Sequence, residues 1–283
     1  MKWREETSRG PRARLHLLRV VDPPAPPVLA LHGLGVGGSI WQGFARRLLP
    51  QLAVVAPDLR GHGDSDAPPS GYLPSDYARD LIELLQNEDW LEPPVPVIGH
   101  SLGALVGLAL ADLRPDLVRW LVLLDPPIDP ELRNPEIPSV YRLRHAGPGE
   151  LEAYLLSRNP GGGQVLADSL ARLFRQASDA AFEALFNPAD PAGGHAPSLL
   201  FSGRAGAFDR APRILQPCLV LQADPGCGGV LGDAAARSFV ASLPRGQLHK
   251  IGGAAHALHA SHPAEVARAI LEFYSSEGVS GSR

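Results

Sequence analysis

Short runs of consecutive apolar residues recur along the chain, separated by stretches in which apolar positions fall every three or four residues. The runs are Val28-Leu29-Ala30-Leu31, Leu52-Ala53-Val54-Val55-Ala56, Val95-Pro96-Val97-Ile98, Leu121-Val122-Leu123-Leu124 and Cys218-Leu219-Val220-Leu221. A strand with one wet face would alternate. An unbroken run predicts a strand covered on both faces, as in a parallel sheet between helix layers. Residues 12–21 alternate loosely and predict a further strand, and Gln247-Leu248-His249-Lys250-Ile251 predicts the last one. Tyr77, Leu81, Leu84 and Leu85 stand at i, i+4, i+7 and i+8 behind Ser75, a residue type that caps helix N-termini. Ala104, Gly107, Ala109 and Ala111 predict a small-residue helix after the Val95 run. The alternation predicts an α/β fold with a mostly parallel central sheet flanked by helices.

The alternation stops between Pro126 and Pro217. That stretch opens on Pro126, Pro127, Pro130, Pro135 and Pro138 and continues with helical faces. These are Leu151, Leu155 and Leu156; Leu166, Leu170, Leu173 and Phe174; and Phe182, Leu185 and Phe186, separated by Gly161-Gly162-Gly163 and by residues 188–194. No strand is needed. Residues 128–213 are expected to form a helical cap inserted into a core of residues 1–127 and 214–283, the alternative being helices packed on the side of the sheet. Residues 275–283 are expected to fray.

With 283 residues, 45% hydrophobic and 20% charged, the chain can bury a substantial core. A net charge of −4 gives no reason to expect nucleic acid or an anionic membrane as partner. The first residues lack the apolar run of a secretory signal and no later stretch is long and apolar enough for a membrane span, so a cytoplasmic protein is expected. Cys218 begins a strand and Cys227 lies in the loop beyond it, which predicts two free thiols. Neither the cysteines nor the scattered histidines have metal-site spacing, so no metal or other cofactor is implied.

The chemistry concentrates in Gly99-His100-Ser101-Leu102-Gly103. An apolar strand before this Gly-x-Ser-x-Gly and a helix after it predict a turn so tight that the Ser101 hydroxyl stands clear of the sheet, with Gly99 and Gly103 small because backbone passes close by. A serine hydroxyl needs a base, and the base needs a carboxylate to orient it. Gly252-Gly253-Ala254-Ala255-His256 follows the last predicted strand, which makes His256 the candidate base over its neighbours His259 and His262. Asp224, at the end of the Leu219 strand, is the first candidate for the acid. Asp125, in Leu124-Asp125-Pro126, is the alternative, and Asp233 reads as a helix cap. The bend His32-Gly33-Leu34-Gly35 follows a strand directly, so the Leu34 and Leu102 amides are expected to form an oxyanion hole. A phosphate-binding turn is the other reading of that bend, without the lysine such a turn requires.

These motifs, with Pro57-Asp58-Leu59-Arg60-Gly61-His62-Gly63-Asp64-Ser65 and the order Ser, Asp, His, resemble the α/β-hydrolase superfamily throughout the chain except the cap. The resemblance implies that His62 supports the fold and does not catalyse. Relatives often place the acid a few positions beyond a glycine, whereas Ala223-Asp224-Pro225 compresses that spacing. Dehalogenases and epoxide hydrolases of the superfamily carry aspartate at the elbow, and serine there argues for acyl transfer.

Hydrolysis of a small-molecule carboxylic ester is therefore the expected activity. C–C bond hydrolase, lactonase and perhydrolase chemistry share the same motifs, and a ligand receptor on this fold is a reading from another class. Trp41, Phe174, Phe182 and Phe186 are candidates for an apolar acyl pocket or plain core, and Tyr141 and Tyr154 are candidates for polarising a substrate oxygen. Oligomeric state has no signature in the sequence.

Overall fold

The computed structural model describes residues 1–128, 136–158, 163–184 and 206–278. The first half runs β1 (Lys2–Arg9), β2 (Arg14–Asp22), β3 (Pro27–Leu31), α1 (Gln42–Ala45), β4 (Ala53–Pro57), α2 (Pro74–Asn87), β5 (Val95–His100), α3 (Leu102–Leu113) and β6 (Val118–Leu124). Between β6 and the next strand the described residues form α4 (Glu136–Leu143), α5 (Glu150–Arg158), α6 (Gly163–Gln176), α7 (Asp179–Glu183) and α8 (Ala207–Arg210). The chain then closes with β7 (Cys218–Gln222), α9 (Asp233–Ser242), β8 (Gly246–Lys250), α10 (Leu258–Ser261) and α11 (Pro263–Gly278).

One eight-stranded sheet has the order β1-β2-β4-β3-β5-β6-β7-β8. β1 and β2 are antiparallel to their neighbours and the other strands pair in parallel. The unbroken apolar runs are explained by β3, which sends Leu29 and Leu31 into the core on one face and Val28 and Ala30 into the core on the other. Both faces are dry, so the twofold alternation of side chains leaves no polar trace in the sequence.

The sequence pattern missed β1. Its Lys2-Trp3-Arg4-Glu5-Glu6 sequence has no apolar period, and charge is what an edge strand carries to discourage further pairing. The expected Ser75 cap is also displaced. α2 starts one residue earlier at Pro74, whose fixed φ suits a first helical turn, and the Asp76 carboxylate accepts the Leu73 N–H at 3.1 Å.

Neighbouring parallel strands end in register, with Leu31 beside Gly99, His100 beside Leu124 and Leu124 beside Leu221. The turns after β3, β5, β6, β7 and β8 therefore open on one edge. The strand order reverses at β3 and β5, and an open α/β sheet forms its binding crevice at such a reversal.

The described part of the insertion is helical, and α4 to α7 enclose a small core of their own that includes Val140, Leu151, Leu155, Ala167, Ala171 and Phe182. Arg144 fastens it. Its guanidinium donates to Asp179 Oδ1 at 2.9 Å and to the Ala177 carbonyl just past α6, and lies 4.7 Å from the centre of the Phe182 ring. The insertion docks on the sheet domain through the Ser178 N–H, which donates to the Gly61 carbonyl at 2.7 Å, and through Phe174 and Phe182, which abut Gly35. α8 has already returned to the sheet domain, packing Ala207 into its core and pairing Arg210 with Asp112 at 2.7 Å. Leu185, Phe186 and residues 188–194 lie outside the described residues. Among the described residues no helix is long and apolar enough to cross a membrane.

Candidate active site

Ser101 is the single residue between β5 and α3, and its backbone has φ 52 and ψ −115, a conformation an L-residue rarely adopts. The Ser101 N–H donates to the Leu124 carbonyl of β6 at 3.0 Å and its carbonyl accepts the Ala104 N–H at 3.0 Å, so both ends of the turn are tied. A Cβ on Gly99 would strike the Gly103 carbonyl, and one on Gly103 would strike the Leu31 carbonyl. The two glycines are thus required by backbone crowding. Ser101 itself is partly exposed.

His256 lies in the loop between β8 and α10. Its Nδ1–H donates to Asp125 Oδ2 at 2.7 Å, reaching the residue that follows β6. Asp125 is fully buried, and its backbone takes the left-handed φ of 43. The carboxylate is neutralised by donors: the Val230 N–H at 2.8 Å on Oδ2, and the Ala223 and Leu231 N–H groups at 3.3 Å on Oδ1. A buried carboxylate held by this many donors is fixed in orientation.

The expected order of the two acids is reversed. Asp224 does not reach His256. Its carboxylate accepts the Gly226 N–H at 3.0 Å and the Gly253 N–H at 2.9 Å, and these two amides hold it below the usual carboxylate range. The reason is local. Asp224 caps the turn Pro225–Cys227, so its side chain folds back along its own loop and onto the glycines ahead of His256. Asp233, read as a cap, does lie in the first turn of α9 and pairs with Lys250 at 2.9 Å.

The bend after β3 is locked by His32. Its Nδ1–H donates to the Gly33 carbonyl at 2.7 Å and its Nε2 accepts the Leu59 N–H at 2.9 Å, so the ring is neutral, and burial lowers its pKa. Gly33 lies against the nucleophile turn: a Cβ there would sit 3.4 Å from Ser101 Cβ. Leu34 follows at once and packs on the inserted helices, while Leu102 opens α3, where a helix leaves its first N–H groups free. Leu102 is thus the residue after Ser101, and Leu34 is one residue beyond the glycine that lies against it. Among the described residues neither N–H donates to another protein group.

The other candidates separate cleanly. His62 is buried with its pKa pushed down to about 3 by desolvation, and its Nδ1–H bonds the Arg60 carbonyl at 2.9 Å. Trp41 lies in the core on the far face of the sheet, fully buried and stacked on His259 with ring centres 4.7 Å apart. Phe174 and Phe182 stand over the bend at Gly35. Tyr141 donates to Glu183 at 2.9 Å, and Tyr154 packs in the inserted core. His262 is half-buried beside Ser261. Both cysteines are free, Cys218 buried and Cys227 exposed.

Among the described residues one group brings potential metal-ligating atoms within 4.8 Å of one another: His16, Asp58 and Asp64. Asp58 already accepts from Gly38 N at 2.6 Å, Asp64 N at 3.0 Å and His16 Nδ1 at 2.8 Å, which makes it the lock of its own turn.

The sequence reading missed two contributors. One is the amide cradle of Ala223, Val230 and Leu231 around Asp125, which carries no side-chain signature. The other is His100, whose Nε2 meets the His256 carbonyl at 3.1 Å.

A family model described as "Alpha/beta hydrolase family" matches residues 28–269. A lipase of Mycobacterium tuberculosis, LipV, is 40% identical over 114 residues, covering 40% of this chain and 42% of that protein. The 2-(acetamidomethylene)succinate hydrolase of Mesorhizobium japonicum is 32% identical over 141 residues, covering 48% and 49%. The chain thus spans between 28% and 49% of the length of the curated relatives it matches. Among solved structures, a putative lipase from Acinetobacter baumannii superposes with a TM-score of 0.79 at 19% identity, covering 98% of this chain and 93% of that one. At that identity the likeness is one of fold.

Proposed function

The chain belongs to the alpha/beta hydrolase family, and from that membership we propose that it hydrolyses carboxylic esters of small molecules through an acyl-enzyme on Ser101. The observation that carries the reading is the 2.7 Å contact between His256 Nδ1 and Asp125 Oδ2 at the strand edge where the strained Ser101 turn is exposed. Asp125 takes the role of orienting acid, in place of Asp224. Its carboxylate accepts the hydrogen of Nδ1, which leaves Nε2 free to act as base.

Ser101 Oγ attacks the ester carbonyl carbon as His256 Nε2 removes its proton. The carbonyl oxygen becomes an oxyanion facing the Leu34 and Leu102 amides. The carbon–oxygen bond to the alcohol then breaks, and His256 returns the proton to the leaving oxygen. Water repeats the attack on the acyl-enzyme, with His256 as base, releasing the acid and Ser101. Of the expected cap, helices α4 to α7 act as a cover over this edge while α8 belongs to the sheet domain, a reading supported by Phe174 and Phe182 on the oxyanion bend and by Ser178 on Gly61.

Short-chain nitrophenyl esters test the proposal. A burst of nitrophenol followed by turnover is expected from the wild type and neither from Ser101→Ala. Turnover surviving in Ser101→Ala, or ligand-induced thermal shifts with no turnover of any ester, would remove it. A second reading, hydrolysis of a small amide, is favoured by the match to the Mesorhizobium hydrolase, whose name denotes an acetamido substrate. It uses the same residues and differs in the leaving group, so matched nitroanilides decide between the two.

A further inference from the structure

We propose that His100, the residue preceding the nucleophile, is a positioning residue for the base: it holds the backbone of His256 while Asp125 holds the imidazole. The inference rests on the reading of Ser101 and His256 given above.

His100 ends β5 with its side chain buried, and its Nε2 lies 3.1 Å from the His256 carbonyl oxygen. A carbonyl only accepts, so Nε2 carries the hydrogen and Nδ1 is bare. The ring has little room to leave this pose. A Cβ on Gly33 would sit 3.0 Å from Nδ1, the His256 ring centre is 4.7 Å away, and the His259 ring centre is 4.8 Å away with Trp41 stacked behind it. Burial lowers the pKa of both His100 and His259, and the nearby His256 lowers them further. The donor therefore stays neutral when His256 takes a proton.

The approach to His256 needs such an anchor. Gly252-Gly253-Ala254-Ala255 offers almost no side chain for packing. Its last tie to the neighbouring loop is the Ala254 carbonyl, which accepts the Asp224 N–H at 2.9 Å. Two residues later, Asp125 fixes the imidazole and His100 fixes the carbonyl of the same residue. Two points of attachment remove the swing that one would leave, and Ser101 follows His100 directly. One side chain thus sets the position of the base relative to the nucleophile. A displacement of about 1 Å at reacting groups is enough to cost on the order of 100-fold in rate.

The test compares His100→Gln, His100→Asn and His100→Phe on a nitrophenyl ester. The glutamine amide nitrogen reaches as far as Nε2, while the asparagine amide is too short. With Phe and Asn, kcat is expected to fall about 30- to 100-fold with KM within about threefold, and Gln is expected to recover kcat to within about fivefold. Should the Phe variant fail to fold, the Gln and Asn pair decides alone. Equal impairment in Gln and Asn, or wild-type kcat in Phe, overturns the proposal. The low-field proton resonance of His256 Nδ1–H gives a readout free of turnover: sharp in wild type and Gln, broadened in Asn. If the wild type hydrolyses nothing, the esterase reading falls and this resonance judges the positioning role, an unchanged signal in Asn overturning it.

Discussion

Asp125 and Asp224 follow adjacent parallel strands at the same edge of the sheet, yet they meet opposite surroundings. Asp125 is buried, has a left-handed backbone, and takes hydrogen bonds from three amides and His256. Asp224 is partly exposed and takes its hydrogen bonds from Gly226 and Gly253. The difference lies in what the β7 loop does. Residues 223–231 supply the donors that surround Asp125, so the loop that the family resemblance marked for the acid serves as its socket. Asp224 clasps that socket to the loop of His256. On the proposed mechanism one aspartate orients the base, while the other ties the β7 loop to the loop of His256.

Asn at position 125 should break the contrast most severely. Asp125→Asn offers His256 a neutral partner that permits the wrong tautomer, and kcat is expected to fall about 10³- to 10⁴-fold with the fold retained, measured by steady-state kinetics and circular dichroism. Asp224→Asn keeps one acceptor oxygen and leaves His256 on Asp125, so its kcat should fall by less than about tenfold. Finding the larger loss in Asp224→Asn would exchange the two roles.

The smallest effect is in pH-dependent stability. Burial holds His62 at about 3 and His259 at about 4, below the ordinary histidine value. The unfolded chain takes up these protons first, so their stabilisation is full above about pH 6.5 and declines as pH falls toward 4. The Asp224 carboxyl is depressed, so its contribution is present above the ordinary carboxylate value and is lost only as pH falls through the lower folded value. Urea midpoints between pH 7 and 4.5 should therefore fall in the wild type. The fall should be shallower in His259→Phe and unchanged in slope in Asp224→Asn. A changed slope in Asp224→Asn would show that its carboxyl titrates in the histidine window.

Much of this was legible in the sequence, for identifiable reasons. The sheet core wrote itself into consecutive apolar residues because both faces of β3 to β7 are covered. The nucleophile turn was readable because crowding at Gly99 and Gly103 excludes every other residue. The loop of His256 was readable as a glycine-rich exit from a strand. The acid was not: Asp125 and Asp224 each lie just beyond a strand, and what separates them, the burial of Asp125 among amides and the fold-back of Asp224 onto Gly226, leaves no mark in the sequence. β1 escaped because its charged edge has no apolar period. The work of His100 escaped because it is done on a backbone carbonyl, which any residue at 256 would provide.

With Asp125 after β6, the proposed nucleophile and acid ride on one uninterrupted strand–helix–strand unit, β5-α3-β6, which ends before the inserted helices begin. Lengthening, shortening or exchanging those helices leaves the spacing between Ser101 and Asp125 untouched, and only His256 must be recruited from beyond them. The lining of this crevice can therefore change while two of the three proposed working side chains keep their spacing.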